Sequence, residues 1–344
     1  MKHKSKPKSK AKNGRAMTAK AAKRIIAPPK KHTGPVKIAY TTKLGKMLLG
    51  TIEKALDHKS IRSAKGKVDL ILTSPPFPLV RKKQYGNETG DEYLKWLEGL
   101  APRLADLLSP KGSLVIELGN AWEKGVPCMS TLSLEALLAF KKAGKLHLCQ
   151  HVICHNPARL PSPAEWVTVR RIRLKDSFTH VWWMARTEQP KADNKNVLSP
   201  YGKDMKRLLS TQSYNAGKRP SGHNISENGF LTNHNGAISA DVLEPEEERS
   251  IPEALLKFSG ATWNSVYREY CKKHNVEEHP ARMAPPLAGF FINFLTSPGD
   301  LVLDPFGGSN TTGVVAEELK RKWISVEANP DYVKGSHGRF LPDK

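Results

Sequence analysis

The chain has 344 residues, 39% of them hydrophobic, which is enough for about two domains with a buried core. Its 55 Lys and Arg against 33 Asp and Glu leave a formal net charge of +22, which argues against an ordinary acidic metabolic enzyme and for a polyanionic partner, nucleic acid being the usual one. No apolar run approaches the roughly 20 residues of a membrane span, no apolar stretch follows the basic start as a secretory signal requires, and the four cysteines form no C-x-x-C pair, which fits a reducing compartment and neither a disulfide framework nor a zinc site.

Residues 1–34 carry 12 Lys and Arg and no acid, with lysines alternating at 2, 4, 6, 8, 10 and 12. Such a segment cannot bury a core and is expected to be disordered. It reads either as a phosphate-binding arm or as a solubilising tail; a start at Met17 or an organellar transit peptide gives the same composition. From Val36 the pattern changes. Val36–Thr41 and Lys46–Gly50 read as short strands and Thr51–Asp57 as helical turns. Val68–Thr73 is an apolar run stopped by Pro75, the signature of a buried parallel strand. Apolar residues recur at helical spacing over Glu92–Leu108, with Pro110-Lys111-Gly112 as the expected stop. Ser113–Gly119 is a further strand, Leu132–Lys142 a helix stopped by Gly144, and Leu146–Cys154 and Phe178–Ala185 two more strands. This alternation predicts an α/β fold with a doubly wound, mostly parallel sheet.

Regularity fails after Glu188. Residues 190–223 hold seven Lys and Arg against two acids, 241–253 hold six acids and one Arg, and 211–240 are rich in Asn, Ser and Gly. We read 190–278 as an appended, irregular region. Beyond it, Ala281–Leu295 reads as a helix, Leu301–Asp304 as a strand, Thr311–Leu319 as a helix and Trp323–Glu327 as a strand. The resulting division is 1–34 tail, 35–189 and 279–344 as two halves of one α/β unit, and 190–278 between them.

Two turns carry chemistry. Asp304-Pro305-Phe306-Gly307-Gly308-Ser309-Asn310-Thr311 links a strand to a helix start. Glycines there admit a ligand close to the backbone, and the helix start offers free amides. Glu327 ends the next strand 19 residues after Gly308, where an acid meets ribose hydroxyls in nucleotide-binding α/β folds. The loop is neither G-x-G-x-x-G nor a P-loop, so the expected ligand contains a nucleoside but need not contain phosphate; an ordinary tight turn with a solvated Glu is the competing reading. The second turn, Thr73-Ser74-Pro75-Pro76-Phe77, follows a buried strand. Its prolines remove two N–H donors and leave carbonyls and the Ser hydroxyl as acceptors beside a flat ring, a set suited to a planar base with an amino group. Its competing reading is a strand-ending turn with a core Phe.

Together the two turns resemble the amino-group DNA methyltransferases, with Ser74-Pro75-Pro76-Phe77 similar to their catalytic motif, Asp304–Gly313 to their cofactor motif and His279-Pro280-Ala281-Arg282 to the start of the helix that precedes it. The order of motifs resembles the family's permuted β group, and the resemblance covers most of 36–340, with weaker matches at Gly45-Lys46-Met47, Tyr85-Gly86-Asn87 and Lys175-Asp176. Two positions depart from the pattern: Thr51 stands where an acid is common, and Asn310 where Gly is commoner.

The resemblance implies an S-adenosylmethionine-dependent methyltransferase fold with 190–278 as its target-recognition region. Asp304 is then expected to face the methionine ammonium, Glu327 the ribose, and Gly307–Asn310 to wrap the methionine. Ser74 and the Pro75 carbonyl are expected to hold the amino group of a flipped-out base stacked on Phe77. The Ser form of the motif resembles the cytosine-N4 subgroup. The alternatives are an adenine-N6 enzyme, the same fold acting on RNA, and a non-catalytic DNA-binding protein with a decayed methyltransferase fold. Arg81-Lys82-Lys83 and a second basic cluster of Arg159, Arg170, Arg171, Arg173 and Lys175, read as a surface strand or ribbon, are candidate DNA contacts. Lys218 and Arg219 are further candidates, for base edges. Trp182 and Trp183 read as core. No metal is assigned. The expected partner is double-stranded DNA, with a cognate restriction endonuclease encoded nearby and a cytoplasmic, nucleoid-associated location in a bacterium.

Overall fold

A computed structural model describes residues 31–77, 90–227, 229–245, 252, 255, 258 and 262–341. The tail through residue 30, Arg81-Lys82-Lys83 and Tyr85-Gly86-Asn87 lie outside them. In chain order the elements are β1 (Lys37–Thr41), β2 (Gly45–Leu49), α1 (Ile52–Ala55), α2 (Lys59–Arg62), β3 (Val68–Thr73), α3 (Gly90–Ala105), β4 (Leu108–Gly119), a hairpin of β5 (Ala121–Trp122) and β6 (Met129–Ser130), α4 (Leu132–Ala143), β7 (His147–His155) and β8 (Phe178–Ala185). Then come α5 (Lys203–Thr211), a hairpin of β9 (Gly217–Lys218) and β10 (Asn224–Ile225), β11 (Val242–Leu243), α6 (Thr262–Lys273), α7 (Pro285–Leu295), β12 (Leu301–Asp304), α8 (Thr311–Glu318), β13 (Lys322–Glu327) and α9 (Pro330–His337).

Nine strands form one sheet in the order β1-β2-β13-β12-β3-β4-β8-β7-β11. Strands β2, β13, β12, β3 and β4 pair parallel with their neighbours, β1 and β8 run antiparallel to theirs, and β7 points the same way as β4. The sheet is therefore mostly parallel, as expected. Its apolar residues alternate between two faces. One packs Ile71, Leu114 and Ile116 under α3 and α4, with Tyr93, Leu97, Leu100 and Phe140. The other packs Leu70, Leu72 and Val115 under α7 and α8, with Phe291, Ile292 and Val315. Burial on both faces is why the parallel strands read as continuous apolar runs.

From β12 the chain winds through α8 to β13 in one direction, and from β3 through α3 to β4 in the other. The pairing of β12 with β3 is thus a topological switch point, where α/β sheets bind ligands beyond the carboxyl ends of the strands. The described part of 190–278 is not without order: a short 3-10 turn (Asn194–Val197), α5 and α6 lie within it, and β11 adds to the main sheet beside β7.

Three expectations need correction. Helix α3 ends at Ala105, before Leu108, and Pro110-Lys111-Gly112 lies inside β4, where the register against β3 shifts. Gly112 is needed at that irregularity, since a Cβ there would stand 2.6 Å from the Val68 carbonyl oxygen. Helix α7 begins at Pro285, not near Ala281. Prolines occupy its first turn, where their missing N–H groups cost nothing, while the His279 carbonyl is taken by the Arg282 side chain. The basic cluster at 170–175 is no strand: a π-helical turn (Glu165–Val169) precedes it, and Arg171 has φ +53°. Trp182 and Trp183 are buried as expected.

Gly45 pairs with Trp323 across β2 and β13, and the indole lies on the glycine; a Cβ there would be 2.2 Å from the ring. The ring is buried, stacked on Phe340 and donates from Nε1 to Glu317. We expect Gly45→Ala to destabilise the protein by about 3 kcal/mol, the upper end for overpacking a core, read as a lower urea midpoint with unchanged slope.

Candidate active site

The carboxyl ends of β2, β13, β12 and β3 open onto one cleft with a cavity volume of about 270 Å³. Ser74, Pro75, Pro76 and Phe77 line it, as do Asp304, Pro305, Phe306, Gly307, Gly308, Ser309, Thr311 and Glu327. The two turns singled out in the sequence are therefore walls of one site. Asn310 is fully buried behind that wall rather than in it.

Beyond the backbone pairing of β3 with β12, a side-chain hydrogen bond joins the walls: Thr73 Oγ1 donates to Asp304 Oδ1 at 2.7 Å, across 231 residues of chain. Asp304 also accepts from Phe306 N at 3.0 Å, which shapes the loop that follows. Burial pushes the Asp304 carboxyl above its ordinary value, against the bonds from Thr73 and Thr312. Glu327 Oε2 accepts from Gly308 N (2.9 Å) and Oε1 from Asn329 N (2.7 Å). Burial pushes its carboxyl up to about 7, opposed by those backbone bonds.

The glycines of the loop sit in tight quarters, and Gly308 also takes a left-handed backbone. A Cβ on Gly307 would come within 3.1 Å of Ser325. At Gly308, φ +52°, it would meet His279 Nε2 at 3.0 Å. Asn310 resolves one departure noted in the sequence. It adopts the left-handed conformation (φ 55°, ψ 41°) at the N-cap of α8. Its Oδ1 accepts from Gly313 N (3.2 Å) and Ser325 Oγ (2.7 Å), and its Nδ2 donates to Tyr40 Oη (3.0 Å), which is also bonded to Ser336 Oγ. Glycine would supply the backbone but not the cap.

The other departure, Thr51, also lines the cleft, but with an acid two residues on. Glu53 lines it too and accepts from Trp96 Nε1 at 2.7 Å. Burial raises the Glu53 carboxyl, yet Trp96, Thr51 and Lys31 together draw it below its ordinary value. Sequence reasoning did not select Glu53 or Trp96; their only signal was proximity to Gly50 and an aromatic on the buried side of α3.

It also missed the cationic end of the cleft. His279, placed in the sequence only as part of a helix start, holds Nδ1 toward Ala281 N (3.3 Å), so its neutral ring carries the proton on Nε2. Burial pushes it down to about 4, so it is neutral at physiological pH. Arg339 donates from Nε to the Ser309 carbonyl at 2.8 Å, and burial lowers it to about 10. Arg282 donates to the His279 carbonyl (2.8 Å) and lines the cleft, while its buried Nε has no hydrogen-bond partner among the described residues. The cleft is thus lined by carboxylates (Asp304, Glu327, Glu53) and one guanidinium group (Arg282), with Arg339 holding the Ser309 backbone from behind.

The remaining candidates lie apart from the cleft's walls. Arg170 and Arg171 are exposed on the 156–177 loop. Arg173 is half-buried, lies over the Trp122 ring at 3.5 Å and donates to the Ser162 carbonyl (2.5 Å), so it ties that loop down. Lys218 is exposed in the β9–β10 hairpin, and Arg219 is half-buried, donating to the Asn215 carbonyl.

We expect Asn310→Gly to cost about 2 kcal/mol, because it removes the cap and leaves Ser325 and Tyr40 each one partner short, and Asn310→Ala about 3 to 4 kcal/mol, because left-handed strain is added to the same losses. Chemical denaturation of the three proteins checks the order.

Comparison with known proteins follows the same lines. The type II methyltransferase M.PvuII of Proteus hauseri is 42% identical over 307 residues, 89% of this chain and 86% of that protein. The DNA adenine methyltransferase YhdJ of Escherichia coli (strain K12) is 40% identical, but over 78 residues, 23% of this chain and 26% of its own length. The solved structure titled PvuII DNA methyltransferase (cytosine-N4-specific) matches with a TM-score of 0.67 at 35% identity, covering 90% of each chain. The DNA methylase family pattern matches residues 68–337. With that span and that identity, on an α/β sheet whose two motif turns share one cleft, the chain belongs to the DNA methylase family.

Proposed function

We propose that this protein is a cytosine-N4 DNA methyltransferase that acts on a flipped-out cytosine in duplex DNA with S-adenosylmethionine as methyl donor. The observation that carries the reading is the shared cleft of Ser74–Phe77 and Asp304–Ser309, held together by the Thr73–Asp304 bond. The long match to M.PvuII and the match to a structure titled cytosine-N4-specific support the choice of base, whereas the match to the adenine methyltransferase covers under a quarter of the chain.

The residues present suit the donor. S-adenosylmethionine, when bound, supplies an electrophilic methyl group on a sulfonium. Asp304 and Arg282 offer opposite charges for an amino-acid moiety; the Arg282 guanidinium is ion-paired with Glu278 (3.6 Å), but its buried Nε is a donor with no acceptor among the described residues. Glu327 offers acceptors to ribose hydroxyls. Gly307 and Gly308 leave room that a side chain would fill.

On the other wall, the target's amino nitrogen is a poor nucleophile because its lone pair is delocalised into the ring. The Ser74 hydroxyl and the Pro75 carbonyl hold its N–H groups, and Ser74 can also donate to the neighbouring ring nitrogen without burying a charge. Fixing the nitrogen supplies much of the rate. Phe77 packs against the core and against Gly119, where a Cβ would stand 2.9 Å from its ring, so the ring is a fixed platform for a base. A cleft of this volume excludes a duplex, so the base must leave the stack.

Arg170, Arg171, Lys218 and Arg219 serve as contacts to the DNA backbone and bases, with Arg81, Lys82 and Lys83 following the catalytic turn in sequence. Residues 190–278 act in target recognition. A cognate restriction endonuclease and a cytoplasmic, nucleoid-associated location follow from the same reading.

Two outcomes test this function. DNA from cells expressing the protein should contain N4-methylcytosine by mass spectrometry of nucleosides, and Ser74→Ala should lower turnover by on the order of 100-fold while leaving donor affinity intact. N6-methyladenine as the sole product would overturn the base.

The second outcome concerns pH. A carboxyl raised to about 7 in the folded protein is harder to ionise there than in the unfolded chain, so in the ligand-free protein its ionisation costs stability as pH rises from the ordinary carboxylate range toward 7. Ribose hydroxyls donate to the ionised form, so binding lowers that value. Donor affinity, measured by calorimetry, should rise with pH up to about 7 and level off above it, and Glu327→Gln should lack that rise.

A further inference from the structure

The loop of residues 156–177 is rooted on the sheet edge where the cleft opens, since β7 ends and β8 begins beside the carboxyl end of β4. It is held by many bonds. Asn156 N donates to the Ser177 carbonyl (2.7 Å), Lys175 Nζ to the Pro157 carbonyl (2.6 Å), and Ile172 N to the Trp166 carbonyl (3.0 Å). Arg159 donates to the Phe178 carbonyl (3.1 Å), and Arg173 lies on Trp122. Asn120 donates to Asp176 at 2.8 Å, and Asn120 directly follows Gly119, on which the Phe77 ring rests.

This tied-down loop presents apolar side chains to water. Leu174 (88% exposed) and Leu160 (83%) are the two most exposed large hydrophobic residues among those described, and Val169 and Ile172 of the same loop are exposed too. A single exposed leucine is ordinary. Four on one anchored loop, interleaved in sequence with exposed Arg170, Arg171 and Lys175, make a segment that shows water both apolar and cationic side chains, as an interaction site does. The cations select a polyanion, and the apolar side chains select one with an apolar interior. Duplex DNA has both, with phosphates outside and stacked bases within, and proteins that open it insert apolar side chains between base steps.

We propose that this loop enters the duplex beside the target nucleotide, with Leu174 filling the place in the stack that the flipped cytosine leaves. Leu174 is the candidate among the four because its neighbours on both sides are fixed, Arg173 on Trp122 and Lys175 on Pro157, and because Asp176 ties it to the strand end that supports Phe77. One rigid unit then holds both the platform for the extruded base and the plug for the gap. Arg170 and Arg171 are placed to take flanking phosphates. The inference rests on the methyltransferase function proposed above.

The test uses the full-length protein and a duplex bearing the sequence it methylates in the expression host, read by modification-sensitive sequencing. Single-turnover methylation is compared on two substrates, one with the target cytosine paired and one with it opposite an abasic site, where extrusion costs little. Leu174→Ala should slow methylation of the paired duplex by about tenfold or more and that of the unpaired duplex by no more than about twofold, the difference reflecting the cost of opening the pair. Leu174→Phe should retain most of the paired rate, and neither change should shift the thermal midpoint. Equal rates for Leu174→Ala and wild type on the paired duplex, or equal losses on both duplexes, would overturn the proposal. So would a shift from dimer to monomer in sedimentation with equal losses on both, which would assign the patch to a second copy of the chain. A wild-type protein that methylates neither duplex would remove the methyltransferase reading and this one with it.

Discussion

Everything in the cleft depends on one pairing, that of β3 with β12. These strands come from opposite ends of the chain, and their register sets Thr73 against Asp304. A slip of one residue would turn every side chain of β12 to the opposite face, sending Asp304 into an apolar layer. The apolar residues bury on both faces, so it is the polar ends, Thr73 and Asp304, that distinguish this register from a slipped one. The Thr73–Asp304 bond is both a structural joint and a constraint on one wall of the cleft. Asp304 can be buried because Thr73, Phe306 N and Thr312 satisfy it.

The same logic explains the polar network behind the loop. A left-handed Asn at the N-cap of α8 is tolerable only where its amide is fully engaged. Tyr40 from β1, Ser325 from β13 and Gly313 from α8 each supply one partner. One distant strand, the neighbouring strand and the capped helix itself thereby fix the conformation of one residue, and through it the path of the Gly307–Ser309 backbone. Charge of both signs lines the cleft, with Arg282 beside Asp304, Glu327 and Glu53 in its lining, which suits a dipolar ligand better than a simple anion or cation.

Much of this was legible in the sequence, for physical reasons that mark where legibility stops. The parallel strands showed because burial on both faces forces continuous apolar runs, as at Val68–Thr73. The two turns showed because Pro-Pro and Gly-Gly impose local backbone geometry that no neighbour can override. What did not show were contacts made by tertiary approach alone. Glu53 and Trp96 meet across 43 residues, and Arg339 reaches Ser309 from beyond α9. Nothing local distinguishes such residues from a solvated acid, a core aromatic and a surface arginine. The loop at 156–177 misled because alternating Arg and aliphatic residues imitate a half-buried strand. Its anchors, Asn120 and Trp122, lie 56 residues before Asp176 and 51 before Arg173 and leave no periodic trace. Helix α7 started late because His279 and Arg282 were already committed to holding the cleft.

The strand order has a consequence for how the protein comes to exist. Strands β12 and β13 are inserted between β2 and β3, so the last quarter of the chain completes a sheet begun near its start. During synthesis β2 and β3 are made long before the strands that lie between them, and each is left with an open edge of unpaired N–H and C=O groups. Closing that gap joins segments more than 200 residues apart, a high contact order that slows folding. An unfilled central slot in a sheet is also a template for strands of other chains. The nascent protein is thus exposed to aggregation until its final strands emerge, and its topology places the burden of solubility on the early chain, where its positive charge is densest.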